Sequence, residues 1–169
     1  MELLEGLRGT VPAVRLSYGF FALFGSGGMD ALNRVLKDAR DKGYYVFLEG
    51  LEFLSSQAAS YSADILFGND CTLSFDGLIS VSYMGTDGLR PYIDKLKSND
   101  KDLFAVIRTA NKTAPEIQDL LTGSRLVHLA RIDSIGRYLE SYIGKCGYSR
   151  IAVMSAATLA DSLRSLRTK

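Results

Sequence analysis

Residues 44–62, YYVFLEGLEFLSSQAASYS, change character halfway. Residues 44–49 form an apolar run of strand length, the pattern of a strand buried on both faces. Residues 54–66 read as a helix. A strand that runs into a helix is half of a strand–helix–strand unit. In alternating proteins of this kind chemistry sits where a strand ends. This strand end offers two carboxylates, Glu49 and Glu52, with large apolar residues between them and no lysine. Spaced by three at a strand-to-helix junction, the two glutamates are either an acid/base pair or solvated residues of a first helical turn.

The same alternation extends in both directions. Further strands are expected over 11–16, 78–83, 103–109 and 151–155. Further helices are expected over 29–42, 87–97, 115–121, 133–145 and 159–166. In the first of these helices Leu32, Leu36 and Ala39 share a face, and Gly43 stops it. Gly, Asp and Asn fall mostly between elements. Alternating strands and helices imply an α/β protein with a parallel sheet and right-handed crossovers, here as one domain over 1–169. An open doubly wound sheet and a (β/α)8 barrel both fit. The glycine-rich run Phe24-Gly25-Ser26-Gly27-Gly28 is either an anion-binding loop or a tight turn, and no Gly-Lys-Ser/Thr follows it.

Composition narrows the functional classes. A chain of 169 residues, 47% apolar and 23% charged, has enough material for a sizeable core. A formal net charge of +1 gives no electrostatic basis for binding nucleic acid or an anionic membrane. Cys71 and Cys146 lie far apart with no second pair, which argues against a zinc site or a disulfide framework. No leader-like segment opens the chain and no apolar run approaches the roughly 20 residues of a membrane helix. A cytoplasmic protein is expected. His128 is the only histidine, and no motif places a Ser or Cys nucleophile beside it.

Four stretches, read in order, resemble one family, the orotidine 5′-phosphate decarboxylases, and in particular its longer bacterial branch. They are VPAVRLSYGFFALFGSGG (11–28), DGLISVSYMGTDGLRPYI (76–93), LFAVIRTANKTAPEIQDL (103–120) and GYSRIAVMSAATLADSLRSLR (147–167). The third is similar to the family's Arg-Thr-Ser-Asn signature followed by Gln-Asp-Leu. The resemblance implies a TIM-barrel-like (β/α) fold, a dimer, no cofactor and no metal. It implies conversion of orotidine 5′-monophosphate to UMP in pyrimidine biosynthesis, by a lysine ending the second strand and an Asp-x-Lys-x-x-Asp array ending the third.

Set against that pattern, the polar positions of this chain have changed. Arg15 stands for the first lysine; with a pKa above about 12 it is a poor proton donor. Glu49 stands for the first aspartate of the array. Leu51 occupies the place of the proton-donating lysine and Leu54 that of the last aspartate. No lysine lies between Lys42 and Lys95, so shifting the alignment recovers none. Val81 and Ala110 stand where an asparagine and a serine are expected. Thr109 and Asn111 keep polar groups at a strand end and are the candidate substrate-binding residues. They would take a nucleotide monophosphate, or else they form the turn that starts the next helix.

The expectation is thus a degenerate homologue with an incomplete barrel of about five of the eight β/α units. Two alternatives are an active lyase completed by a partner chain and a binding module that pairs with a true decarboxylase. An unclosed sheet leaves two edges and one face to cover, which predicts a homodimer or a protein partner. Val14, Phe47, Ile79, Val81, Val106 and Val153 are candidates for that uncovered face.

Overall fold

The computed structural model describes residues 2–50 and 55–167. Leu51 and Leu54 lie outside the described residues. A short helix α1 (Glu2–Gly6) leads to strand β1 (Ala13–Ser17), a short helix α2 (Tyr18–Ala22) and the long helix α3 (Gly25–Asp41). Strand β2 (Tyr45–Glu49), helix α4 (Ser56–Phe67), strand β3 (Gly77–Val81), helix α5 (Thr86–Lys95) and strand β4 (Asp102–Arg108) continue the alternation. Helix α6 (Pro115–Gln118) precedes a small hairpin, β5 (Leu121–Thr122) with β6 (Arg125–Leu126), and helix α7 (Val127–Leu139). A 3-10 turn (Glu140–Tyr142), strand β7 (Ile151–Ser155) and helix α8 (Ala160–Arg167) follow.

The five long strands form one sheet, all parallel, in the order β1-β2-β3-β4-β7. This is the incomplete (β/α) barrel arrangement that the alternation implied. Among the described residues β1 and β7 each pair on one side only.

Register sorts the side chains into two rows, because neighbouring residues of a strand face opposite ways. Leu48 pairs with Leu78, Leu78 with Leu103, and Leu103 with Ile151. This row, with Val46, Ala105 and Ile107, is buried against the helices. Helix α3 brings Leu32, Leu36 and Ala39 to it, and α5 brings Leu89, Tyr92 and Ile93. The opposite row holds Arg15, Phe47 and Asp102, then Glu49, Ile79 and Phe104, then Val81, Val106 and Met154. Phe47, Ile79, Val81 and Val106 therefore share the open face. Val14 and Val153 do not: they align with Val46 and Ala105 on the helix side, one residue out of phase. Ile79 is nevertheless 6% exposed, whereas Val81 is 38% exposed.

Two local features depart from the sequence reading. The helix expected over 133–145 begins earlier, at Val127, directly after the hairpin. Its buried face is His128, Ile132 and Ile135, spaced as a helix requires. It ends where Gly144 and Gly147 turn the chain, the latter at φ 83°. The glycine-rich run is the first turn of α3 and not a free loop. A Cβ at Gly28 would lie 1.9 Å from the Phe21 carbonyl oxygen, so that glycine lets α2 pack against α3.

Candidate functional site

The C-terminal end of β4 carries a dense polar network. Arg108 ends the strand and is only 7% exposed. Its Nη1 donates to Gln118 Oε1 at 3.0 Å and to the Thr109 carbonyl at 3.2 Å, and its Nη2 donates to Asp119 Oδ2 at 2.8 Å. Gln118 is the hub. Its Oε1 also accepts from the Thr109 backbone N–H at 2.9 Å, and its Nε2 donates to Thr109 Oγ1 at 2.8 Å. Thr109 Oγ1 donates to Asn111 Oδ1 at 2.5 Å, and Asn111 Nδ2 donates to Thr113 Oγ1 at 3.2 Å. His128, 3% exposed, reaches the Gln118 carbonyl with Nδ1 at 2.8 Å. A carbonyl only accepts, so Nδ1 carries the proton.

This geometry fixes what the strand end can do. Thr109 and Asn111 are brought together at a rigid position, with Thr109 half-buried and Asn111 exposed. Hydroxyl and amide groups held this way suit a polar, uncharged edge of a ligand. Gln118 and Asp119, which look like surface or capping residues in the sequence, instead lock the site to α6 and α7. Tyr83 adds a second anchor by donating to the Ile107 carbonyl at 2.5 Å. Burial pushes the Tyr83 phenol above its ordinary range, while nearby Arg108 and Arg131 pull it down. Burial also lowers the Arg131 guanidinium from its usual value.

Arg15 and Glu49 are not joined to this network. Arg15 sits in the middle of β1 on the open face, exposed, opposite Phe47. Glu49 is half-buried at the end of β2, level with Ser17 and Ile79. Neither makes an ion pair among the described residues. Among those residues no group of three His, Cys, Asp or Glu side chains could hold a metal ion. No helix of the described residues is long and apolar enough to cross a membrane.

The largest cleft lies at the other end of the same face, at the strand N-termini. It has a volume of about 830 Å3 and is lined by Tyr45, Phe47, Asp102, Phe104, Tyr148 and Arg150 among others. Arg150 holds its floor. It donates to Asp102 Oδ1 at 3.2 Å and to the carbonyls of Leu96 and Asn99 at 3.0 and 2.6 Å. Tyr45 donates to Asp102 Oδ2 at 2.7 Å. Burial first, and then this hydrogen bond, push the Tyr45 phenol far above its ordinary value of 10.0. A raised tyrosine pKa contributes stability that is fully present below the unfolded value of about 10 and is lost as pH rises beyond it. Tyr45→Phe is therefore expected to lower stability by about 1 kcal/mol at neutral pH. The difference should shrink above about pH 10, as the phenol of the unfolded chain ionises. Urea unfolding of both proteins across that range measures it, and a constant difference would refute the assignment.

No family model matches the chain. Curated relatives do. The orotidine 5′-phosphate decarboxylase of Caldicellulosiruptor saccharolyticus is 24% identical over 173 residues, covering 98% of this chain and 57% of its own length. That of Clostridium novyi is 28% identical, covering 95% of this chain and 56% of its own. The chain thus spans a little over half the length of the relatives it matches. Among solved structures, Leishmania donovani UMP synthase matches with a TM-score of 0.80 at 24% identity, over 99% of this chain and 34% of that one. Leishmania donovani OMP decarboxylase matches with a TM-score of 0.77 at 21% identity, over 99% and 61%. These likenesses establish the fold.

Proposed function

We propose that this chain, a member of the orotidine 5′-phosphate decarboxylase family, keeps the family scaffold without decarboxylase activity of its own. One observation carries the reading: Leu51 stands in the place of the proton-donating lysine, and no lysine lies anywhere between Lys42 and Lys95. A leucine has no proton to give. Arg15 and Glu49 are charged remnants, and Leu54 removes the second carboxylate. A degenerate site of this kind leaves binding as the residual function. The pre-set Thr109–Asn111 pair supports a nucleotide monophosphate as the ligand, recognised through its base edge.

A second reading is a lyase whose site is completed by another polypeptide. The unpaired outer edges of β1 and β7 favour it. A binding module that pairs with an intact decarboxylase is the third. Assembly as a homodimer fits the exposed ridge of Phe20, Leu23 and Phe24 beside β1.

Nuclear magnetic resonance titration with UMP tests the ligand. Amide shifts should move at Thr109, Ala110 and Asn111, with a Kd of about 1 mM, equivalent to about −4 kcal/mol. Asn111→Ala should weaken binding about tenfold while leaving the remaining spectrum in place. Shifts caused equally by inorganic phosphate, or none near residue 109, would sink the nucleotide reading.

A further inference from the structure

We infer that the open face of the sheet is the docking surface for a segment of about three β/α units lying outside these 169 residues. Its outer strands pair in parallel with β1 and β7. The inference rests on the fold and stands apart from the chemistry proposed for the strand ends.

The surface has the anatomy of an interface. Tyr45, Phe47 and Phe104 pack as a ring cluster, with centroids 4.8 Å apart for Tyr45–Phe47 and Phe47–Phe104 and 6.4 Å for Tyr45–Phe104. All three are half-buried on the open row, and Val81 is exposed on the same row. Arg150 and Asp102 form a charged rim beside them. An aromatic centre with a polar rim is how protein contacts concentrate their energy. The edges add direction. A parallel strand presents slanted, evenly spaced N–H and C=O groups, and only another extended segment satisfies a whole row of them.

Size selects the occupant. A closed barrel of this type has eight strands. Five are present here, or about five-eighths of a barrel. The matched share of the curated relative is 57%, and that of the solved decarboxylase is 61%. The length beyond the match therefore corresponds to the three missing units. A second copy fits the face poorly, because it would bring five strands and make ten.

The test mixes the 169-residue chain with a tagged polypeptide holding the part of the Caldicellulosiruptor saccharolyticus relative beyond the match, produced by co-expression. Expected are a one-to-one complex by light scattering and slowed hydrogen exchange at the amides of β1 and β7. Val81→Asp and Phe104→Asp should each weaken the complex about tenfold or more. The exposed Val81 position guards against a variant that fails to fold. Overturning results are separate species in the mixture, or a complex indifferent to both substitutions. A homodimer of the chain alone that protects β1, β7 and the open face would equally overturn it, in favour of a second copy. UMP binding or its absence leaves this outcome unchanged, so the two proposals fail separately.

Discussion

Purified protein incubated with orotidine 5′-monophosphate is expected to form no UMP above the uncatalysed background. General acid catalysis contributes roughly 10²- to 10⁴-fold where a donor is placed within hydrogen-bond reach. Leu51 offers none. Arg15 holds its proton through the working pH range and lies exposed on the open face. Exposure weakens the remaining electrostatics as well. A pair of charges 4 Å apart interacts by about 1 kcal/mol in water but about 4 kcal/mol at an effective dielectric near 20. Catalytic charge arrays depend on the second condition. Leu51→Lys with Leu54→Asp restores the residue types but not the dry surroundings, so that double variant is also expected to be inactive as an isolated chain. The measurement is UMP formation by a preparation free of host enzyme. Turnover that disappears in Arg15→Ala would show that this chain does the chemistry and would end the degenerate reading.

Arg108→Met is expected to destabilise the fold by about 3 kcal/mol or more. Methionine matches much of the volume and supplies none of the donors. Gln118 Oε1 would lose one of its two donors, and the Asp119 carboxylate would lose its 2.8 Å partner. Removing one partner from a buried charge pair costs about 3–5 kcal/mol, because the other is left uncompensated. At roughly 2–4 °C per kcal/mol for a protein of this size, the melting midpoint should fall by about 6–12 °C. The Arg125–Asp133 pair, nearby in sequence but exposed on both sides, supplies the contrast. Arg125→Ala should change stability by less than about 1 kcal/mol, as exposed ion pairs do. Thermal unfolding of the two variants side by side decides it. Equal losses would mean that the Arg108 network does not carry the stability assigned to it.

Much of the scaffold was legible because its strands announce themselves. Residues 151–155 form β7 as expected, and 44–49 differ from β2 by one residue. A short apolar run between turn residues leaves little choice of structure. Faces were harder. Val14 and Val153 look the same as Val81 in sequence, and only the register shows that they point to the helices. Helix α2 was missed since Tyr18-Gly19-Phe20-Phe21 has neither a capping hydrogen bond nor an amphipathic repeat. At the site, Arg108, Thr109 and Asn111 were found from their strand-end position. The Gln118 and His128 parts were not, because they depend on how α6 and α7 fold back across β4. Spacing along a chain carries no signal for a bond between residues ten apart through a loop.

The strand order has a consequence for how the molecule assembles. β1 through β4 pair with their nearest neighbours along the chain. β7 instead joins β4 only after the chain has run from Arg108 to Ile151, past a hairpin and a helix. Contacts between distant segments form slowly, since the intervening chain must be brought to order first. The four-strand nucleus can therefore precede β7, leaving the free edge of β4 briefly bare during folding. Thermodynamically the detour matters little. Doubling a loop adds only about 0.6 kcal/mol of closure entropy. The long return to β7 thus governs the pace of folding far more than the depth of the native well.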